Sequence, residues 1–484
     1  MKRWPALPAL VLAGCTVGPN YSRPATAVPE RYAEAATQAG PTDAELAGWW
    51  QIFGDPELDA LVNRAIAQNL DVQTAAARIR EARAREIVAG AAALPEVDAQ
   101  ALATRQRISE HAIPVPPGAG GGGNIGSFGL PGSEFNTFRI GFDASWEIDL
   151  FGRTRRSMEA ARARSGAALW DRRDLQVTAA AEVANAYFRL REVQARLATA
   201  EAEVARQQRF ERLVSARARG GLVTGQDLEQ QRSERSTAAA AIPVLSAQAD
   251  AQIHALGVLT GEIPEALVAE LGKPAALRAA AAPVPPGLPS ELLRRRPDVR
   301  AAERELAAST ADIGVAVADL YPRFSLTAAP ALVSTALASL LEWGSRSYSI
   351  GAPLDWPIFN GHRTRANIAV ANARQEQALI AYRKTVLTAL QDVEDALSRT
   401  DADRSQLADL EQALGTAARA EDIARTRYGG GLVTYSDVLL AQAQRLKLED
   451  QVIQTRGALA RDTAALFKAL GGGWPELAEA GGQQ

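Results

Sequence analysis

Between Arg153 and Arg219 the chain contains no proline, and Val183, Leu190, Leu197 and Val204 recur every seven residues, with Val193 and Ala200 filling intermediate positions. A helix of about 66 residues is on the order of 100 Å long, far more than a bilayer needs. Heptads sustained over that length predict packing along neighbours as a coiled coil. The composition points the same way: only 6% of the 484 residues are aromatic against 47% hydrophobic, much of it alanine. Such a chain favours long, closely packed helices over a compact enzyme core. A formal charge of −3 is too small and too dispersed along the chain to suggest a nucleic-acid partner.

The run ends in RARGGLVTGQDL, and 210 residues later a second helical run ends in RYGGGLVTYSDV. Trp146 answers Trp356, and Arg153-Thr154-Arg155 answers Arg363-Thr364-Arg365, at the same offset. Further upstream, Asn69-Leu70-Asp71-Val72 answers Arg296-Pro297-Asp298-Val299, and Leu94-Pro95 answers Tyr321-Pro322, at an offset of 227. Leu379, Val386, Val393, Leu407 and Leu414 form the second seam, in heptad register with the first. The sequence therefore predicts an internal two-fold repeat: 56–258, a proline-rich linker 259–290, and 291–470, with a C-terminal tail 471–484. Asp55 and Pro56 open a helix expected to run to about Ala93, and a return helix is expected from Asp227 to near Gly257.

Between the helices the period changes to two. Phe138, Ile140, Phe142, Ala144, Trp146 and Ile148 point one way; Arg139, Gly141, Asp143, Ser145, Glu147 and Asp149 point the other. A greasy face and a charged face fit a transmembrane barrel strand, although a sandwich strand with one wet face alternates similarly. Residues 96–107 alternate more weakly, and 324–328 and 348–356 form a second pair. The Gly- and Pro-rich segment 114–133 lacks the lysine and Ser/Thr of a phosphate loop and reads as an external loop.

Lys2, Arg3 and a short apolar run lead to Leu12-Ala13-Gly14-Cys15, a secretory signal over 1–14 rather than a membrane span. LAGC resembles the bacterial lipobox, which implies cleavage before Cys15, lipidation of it, and anchorage in outer-membrane lipid. An extended tail, 15–55, follows. Cys15 is the only cysteine, so internal disulfides and cysteine metal clusters are excluded. His111, His254 and His362 are scattered without ligand spacing, so neither catalysis nor a metal or other cofactor finds support.

Four strands cannot close a barrel, and open edges in hydrocarbon leave backbone groups unsatisfied. Two copies would give eight strands and a filled interior; three would give twelve and a lumen, which suits charged inward faces better. The chain resembles the TolC-like outer membrane factors, specifically the NodT-type lipoproteins of RND efflux pumps. The resemblance rests on CTVGPNYSRP from Cys15, WWQIFGDPELDALV from Trp49, SWEIDLFGRTRR from Ser145, GLPSELLRRRPDVRAAERELAA from Gly287 and the two GLVT turns. It implies a mainly α, mixed α and β fold: a homotrimer whose 12-stranded transmembrane β-barrel continues into a long periplasmic α-helical barrel. It also implies passive export, driven by an inner-membrane RND-type transporter through a periplasmic adaptor protein. A protein-secretion duct and a non-conducting lipid-anchored scaffold remain the alternatives.

The resemblance also assigns roles at the periplasmic tip. Asp437 matches an aspartate near the constriction, so three copies would form an acidic ring, or Asp437 caps the return helix, and the two are compatible. Leu440 stands where the family often has a second acid. Tyr428 and Asp227 match a pair that holds the pore shut, with Arg427 adjacent. Gly221, Leu222, Val223 and Thr224, with Gly431, Leu432, Val433 and Thr434, are expected to be adaptor-contact tips, unless the apolar side chains tuck back onto their own hairpin.

Overall fold

The computed structural model describes residues 16–33, 40–109, 134–278 and 283–475. Cys15 and the expected external loop 114–133 lie outside them. In chain order the helices are α1 Asp43–Ala47, α2 Pro56–Gln68, α3 Leu70–Ala91, α4 Arg153–Arg219, α5 Gly225–Thr260, α6 Val268–Leu271, α7 Pro289–Arg295, α8 Pro297–Ala318, α9 Arg363–Gly429 and α10 Tyr435–Ala469. The strands are β1 Glu96–Arg107, β2 Glu134–Ile148, β3 Arg323–Ala328, β4 Ala331–Ser334, β5 Arg346–Ser347, β6 Ile350–Gly351 and β7 Leu354–Asp355. The fold is mainly helical with one small sheet. Both α4 and α9 are 67 residues long, as the proline-free heptad run required.

The chain divides into two compact units. The first comprises Met1–Ser22, Glu81–Ser165 and Glu305–Ala378 and carries the sheet. β1 pairs antiparallel with β2 from Glu96 opposite Ser145 to Arg107 opposite Glu134. The other edge of β2 takes β3 and β4, and these take β7, β6 and β5. The seven segments thus make four antiparallel runs. The strand expected over 324–328 is β3, and β4 beyond Pro330 extends that run past the expected end; the strand expected over 348–356 is broken into β6 and β7 at Pro353, where proline cannot donate to the ladder. Register places Ala99, Ala101 and Ala103 opposite Phe142, Ile140 and Phe138, and Leu326 opposite Trp146, on one apolar face. Among the described residues no strand pairs with the outer edge of β1 or with that of the β5–β7 run, and no helix is long and apolar enough to cross a membrane.

The second unit comprises Arg23–Arg80, Gly166–Arg304 and Leu379–Gln484. Its core gathers Trp49, Phe53, Leu58 and Leu61 with Val183, Phe188 and Leu190 of α4, Val386 and Val393 of α9, and Phe467 of α10. Trp49 stacks on Phe467 with ring centroids 5.5 Å apart. Asp55 caps α2 by accepting from Glu57 N–H at 3.1 Å, with Pro56 at the first helical position.

The single helix expected from Pro56 to Ala93 is two. Asn69 leaves helical geometry at ψ 132°, its Oδ1 accepts from the Asp71 and Val72 N–H groups, and its Nδ2 donates to Leu259 O at 2.9 Å. The side chain thus ends one helix and caps the next. The corresponding break between α7 and α8 falls at Arg296, which pairs with Asp298 and Asp392 and donates to Ala469 O at 3.1 Å. The return helix begins two residues earlier than expected, at Gly225, and runs to Thr260.

Candidate gate at the hairpin tips

Each long helix of the second unit ends in a glycine turn with the same wiring. Gly221 and Gly431 have φ of 70° and 73°, which favours glycine. Their geometry lets Leu222 N–H reach Arg217 O at 2.9 Å and Leu432 N–H reach Arg427 O at 3.0 Å, satisfying last-turn carbonyls. Thr224 and Thr434 then cap α5 and α10 through reciprocal capping boxes. The Asp227 carboxylate accepts from Thr224 N–H and Oγ1–H at 3.0 and 2.9 Å, and that of Asp437 from Thr434 at 2.9 and 2.7 Å. The Thr434 hydroxyl and then its backbone N–H hold the Asp437 carboxyl below its ordinary pKa, so Asp437 is an exposed, ionised carboxylate at neutral pH.

Of the four apolar tip residues expected to be exposed, only two are. Leu222 and Leu432 are each 77% exposed. Val223 and Val433 instead pack, with Phe210, against a cluster of Tyr428, Tyr435 and Val438, because burying β-branched side chains against these rings removes apolar surface from water. Phe210 lies 5.9 Å from Tyr428 and 5.8 Å from Tyr435, centroid to centroid. Arg217 ties the two hairpins together. Its guanidinium lies 5.0 Å from the Tyr428 ring centroid and donates to Tyr428 O at 3.2 Å and Gly429 O at 2.9 Å, meeting the negative end of α9.

Tyr428 and Asp227 do not meet within one chain. Asp227 is committed to Thr224, and among the described residues the buried Tyr428 hydroxyl has no hydrogen-bond partner. Arg427 and Leu440 are exposed, the latter beside a groove of about 340 Å³ lined in part by Glu203, Glu234, Leu439 and Leu446.

The buried centre of the tip is polar. Tyr435 donates to Gln231; Gln231 donates to Gln207 Oε1 at 2.6 Å, and Gln207 to Glu203 Oε1 at 2.6 Å. Glu203 also accepts from Gln442 and from Arg445 at 3.1 Å, and Arg445 pairs with Glu421 and Glu449. The network joins α4, α5, α9 and α10. It went unread in the sequence because charged and amide side chains on a long helix look solvated. The buried stripe moves from Val204, only half-buried, to Glu203 and Gln207, and the spacing 203, 207, 210, 214 was the available signal.

The Outer membrane efflux protein family model matches residues 61–262 and 288–472, and the chain belongs to that family. It is similar to the pyoverdine export outer membrane protein OpmQ of Pseudomonas aeruginosa, with 34% identity over 96% of this chain and 95% of that one. Outer membrane protein OprJ of the same organism is 32% identical over 97% of this chain and 95% of its own length. The solved outer-membrane channel OprN superposes with a TM-score of 0.86 at 33% identity, covering 95% of this chain and all of that one. The chain is thus an outer-membrane efflux channel protein that extends into the periplasm, of a family of ducts rather than enzymes.

Proposed function

We propose that three copies close one duct for passive export of drugs or other small toxic compounds, and that the second unit carries its periplasmic gate. The observation that carries this reading is the four-run sheet whose two outer edges are unpaired among the described residues, since hydrocarbon tolerates only closed sheets. Three copies supply twelve strands, enough for a lumen. The equal lengths of α4 and α9 and the matching capped turns favour an internal duplication over 56–258 and 291–470. Lipidation of Cys15 would add a second anchor.

At the tips, Asp437 from three copies forms an acidic ring, and Leu440 an apolar one beside it. Tyr428, whose hydroxyl has no partner among the described residues, and Asp227 latch adjacent hairpins, with Arg427 available to either carboxylate. Leu222 and Leu432, with Gly221, Thr224, Gly431 and Thr434 around them, meet a periplasmic adaptor that couples the duct to an inner-membrane RND-type transporter. Exposed leucines at a turn are costly unless covered.

Planar-bilayer conductance tests the gate. Wild type should give small cation-preferring events, and Tyr428→Phe with Asp227→Ala should conduct markedly more. Thr224→Ala, which removes the cap but keeps the carboxylate, is the control. Equal opening by the control would mean that helix capping, not a latch, was lost; silence from inserted trimers of all forms would favour a non-conducting scaffold.

A further inference from the structure

We propose that the apolar face of the sheet holds one anionic lipid of the outer leaflet, with its phosphate on Arg346 and an acyl chain in the groove beside it. The inference rests on the reading above that this sheet closes within the membrane, and adds a selective lipid site to it.

Residues directly opposite each other on antiparallel strands point to the same side of a sheet, so the ladder fixes what each side carries. One row runs through Ala101, Ile140, Leu332 and Arg346, across all four runs. Arg346 therefore stands on the apolar face. Its height follows from β2, which stays apolar on this side from Ile148, beside the helices, up to Phe138. The next two rows are polar: Arg105 opposite Asn136, then Arg107 opposite Glu134. The ten-residue climb from Ile148 to Phe138, at about 3.4 Å per residue and a tilt of about 40°, rises about 26 Å, the height of the apolar band of an outer-membrane barrel. Arg346 lies one row below the top of that band, at the end away from the helices. Because the helices extend into the periplasm, this end borders the outer leaflet.

The side chain is arranged to receive an anion. The Arg346 guanidinium lies 3.3 Å from the Trp343 ring centroid, and its Nε donates to Trp343 O at 2.6 Å. The ring and the carbonyl orient the planar fork, while both terminal nitrogens have no partner among the described residues. Arg105, in the polar row above, is paired with Glu134 at 2.7 Å; Arg346 has no such acid among the described residues. A cation within an apolar band is costly unless an anion meets it, and a fork with free terminal nitrogens matches phosphate oxygens two at a time.

Beside Arg346, Ala99, Ala101, Ile140, Phe142, Leu332 and Leu341 line a groove of about 660 Å³. Ala99 and Ala101 stand opposite Phe142 and Ile140, and small side chains facing large ones leave a hollow instead of an even surface. A cation at one end and a hydrocarbon-lined groove beyond it have the chemistry of a single lipid. Inorganic phosphate would use the lone cation and leave the groove unfilled. The whole seat lies within the four runs of one copy, so no neighbour contributes to it.

Tryptophan quenching tests the site. Trp49, Trp50, Trp170 and Trp474 belong to the core of the second unit, so quenchers carried on acyl chains report on Trp146, Trp343 and Trp356. The protein is reconstituted in phosphatidylcholine vesicles holding a minor share of chain-brominated lipid, either phosphatidylglycerol or phosphatidylcholine. The Trp343 signal is the difference between wild type and Trp343→Phe, which keeps a ring beside Arg346. Trp343 should be quenched roughly fivefold more effectively by the anionic lipid, the preference expected of one cation near the membrane surface. In the same difference measurement Arg346→Gln should bring the two lipids level, Arg346→Lys should keep most of the preference, and added inorganic phosphate should leave it unchanged. Equal quenching of wild type by both lipids, a preference that survives Arg346→Gln, or its loss to inorganic phosphate would each overturn the site. Quenching that persists in Trp343→Phe, from Trp146 and Trp356, would then leave the barrel standing, whereas no quenching of any tryptophan would overturn both.

Discussion

Replacing Arg445 by methionine would remove the cation that lies between Glu203 and Glu421, whose side chains are only 3% and 5% exposed. Stripping one partner from a buried ion pair costs about 3–5 kcal/mol, because the remaining charge stays desolvated. Here the neighbours reduce the loss. Glu203 retains donors from Gln207 at 2.6 Å and Arg206 at 2.8 Å, and Glu421 retains Arg425 at 2.6 Å. The low end, about 3 kcal/mol, is therefore expected, which corresponds to roughly a hundredfold faster local opening. Amide hydrogen exchange over 421–449 reads that opening directly, and the core amides of α2 should not change. Adding Glu421→Gln and Glu203→Gln should restore most of the protection, since neutral amides no longer demand a cation. Exchange in the single variant within threefold of wild type would refute the claim that this network holds the tip together.

Other perturbations follow from local geometry. Thr434→Ala breaks the α10 capping box and should cost about 1 kcal/mol locally, read as faster exchange in the first turn of α10, while the pKa of Asp437, followed by NMR, rises toward its ordinary value. Gly18→Ala places a Cβ within 2.5 Å of Gly314 Cα at a φ of 88°, so the tail should detach and residues near Tyr21 become protease-sensitive. Asp174 is pushed up to about 6, chiefly by burial and then by Asp298. A carboxyl whose folded pKa lies above its unfolded value binds more protons when folded, so its contribution to stability falls as pH rises from about 4 to 6. Asp174→Asn should therefore stabilise by on the order of 1 kcal/mol at pH 8, with the gain shrinking toward pH 4 in thermal melts.

The most legible part of the fold was the part governed by local rules. The proline-free heptad run predicted α4 from Arg153 to Arg219, and the glycine turns located both tips. Less legible was anything decided by one side chain in a tertiary setting. Asn69 breaks a helix because its amide finds Leu259 O on another helix, a partner that sequence distance hides. The break in the strand expected over 348–356 was marked by Pro353, but alternation around it masked the loss of a donor. Val223 and Val433 turned inward because Phe210 supplied a ring that lies well outside either turn motif.

The polar core of the tip is the informative failure. Further along the same helices, Val183, Leu190, Val386 and Val393 are fully buried and bind by area alone. Such contacts have no directional preference and give little discrimination between two close arrangements. Glu203, Gln231, Gln442 and Arg445 instead require particular partners at particular distances, so sliding one hairpin past another strands several buried polar groups at once. A tip built this way has few intermediate positions. It either keeps its network or exchanges it for water, the behaviour that the proposed gate requires. The heptads supply the length of the duct, and the amides and ion pairs near its end restrict how that end can move.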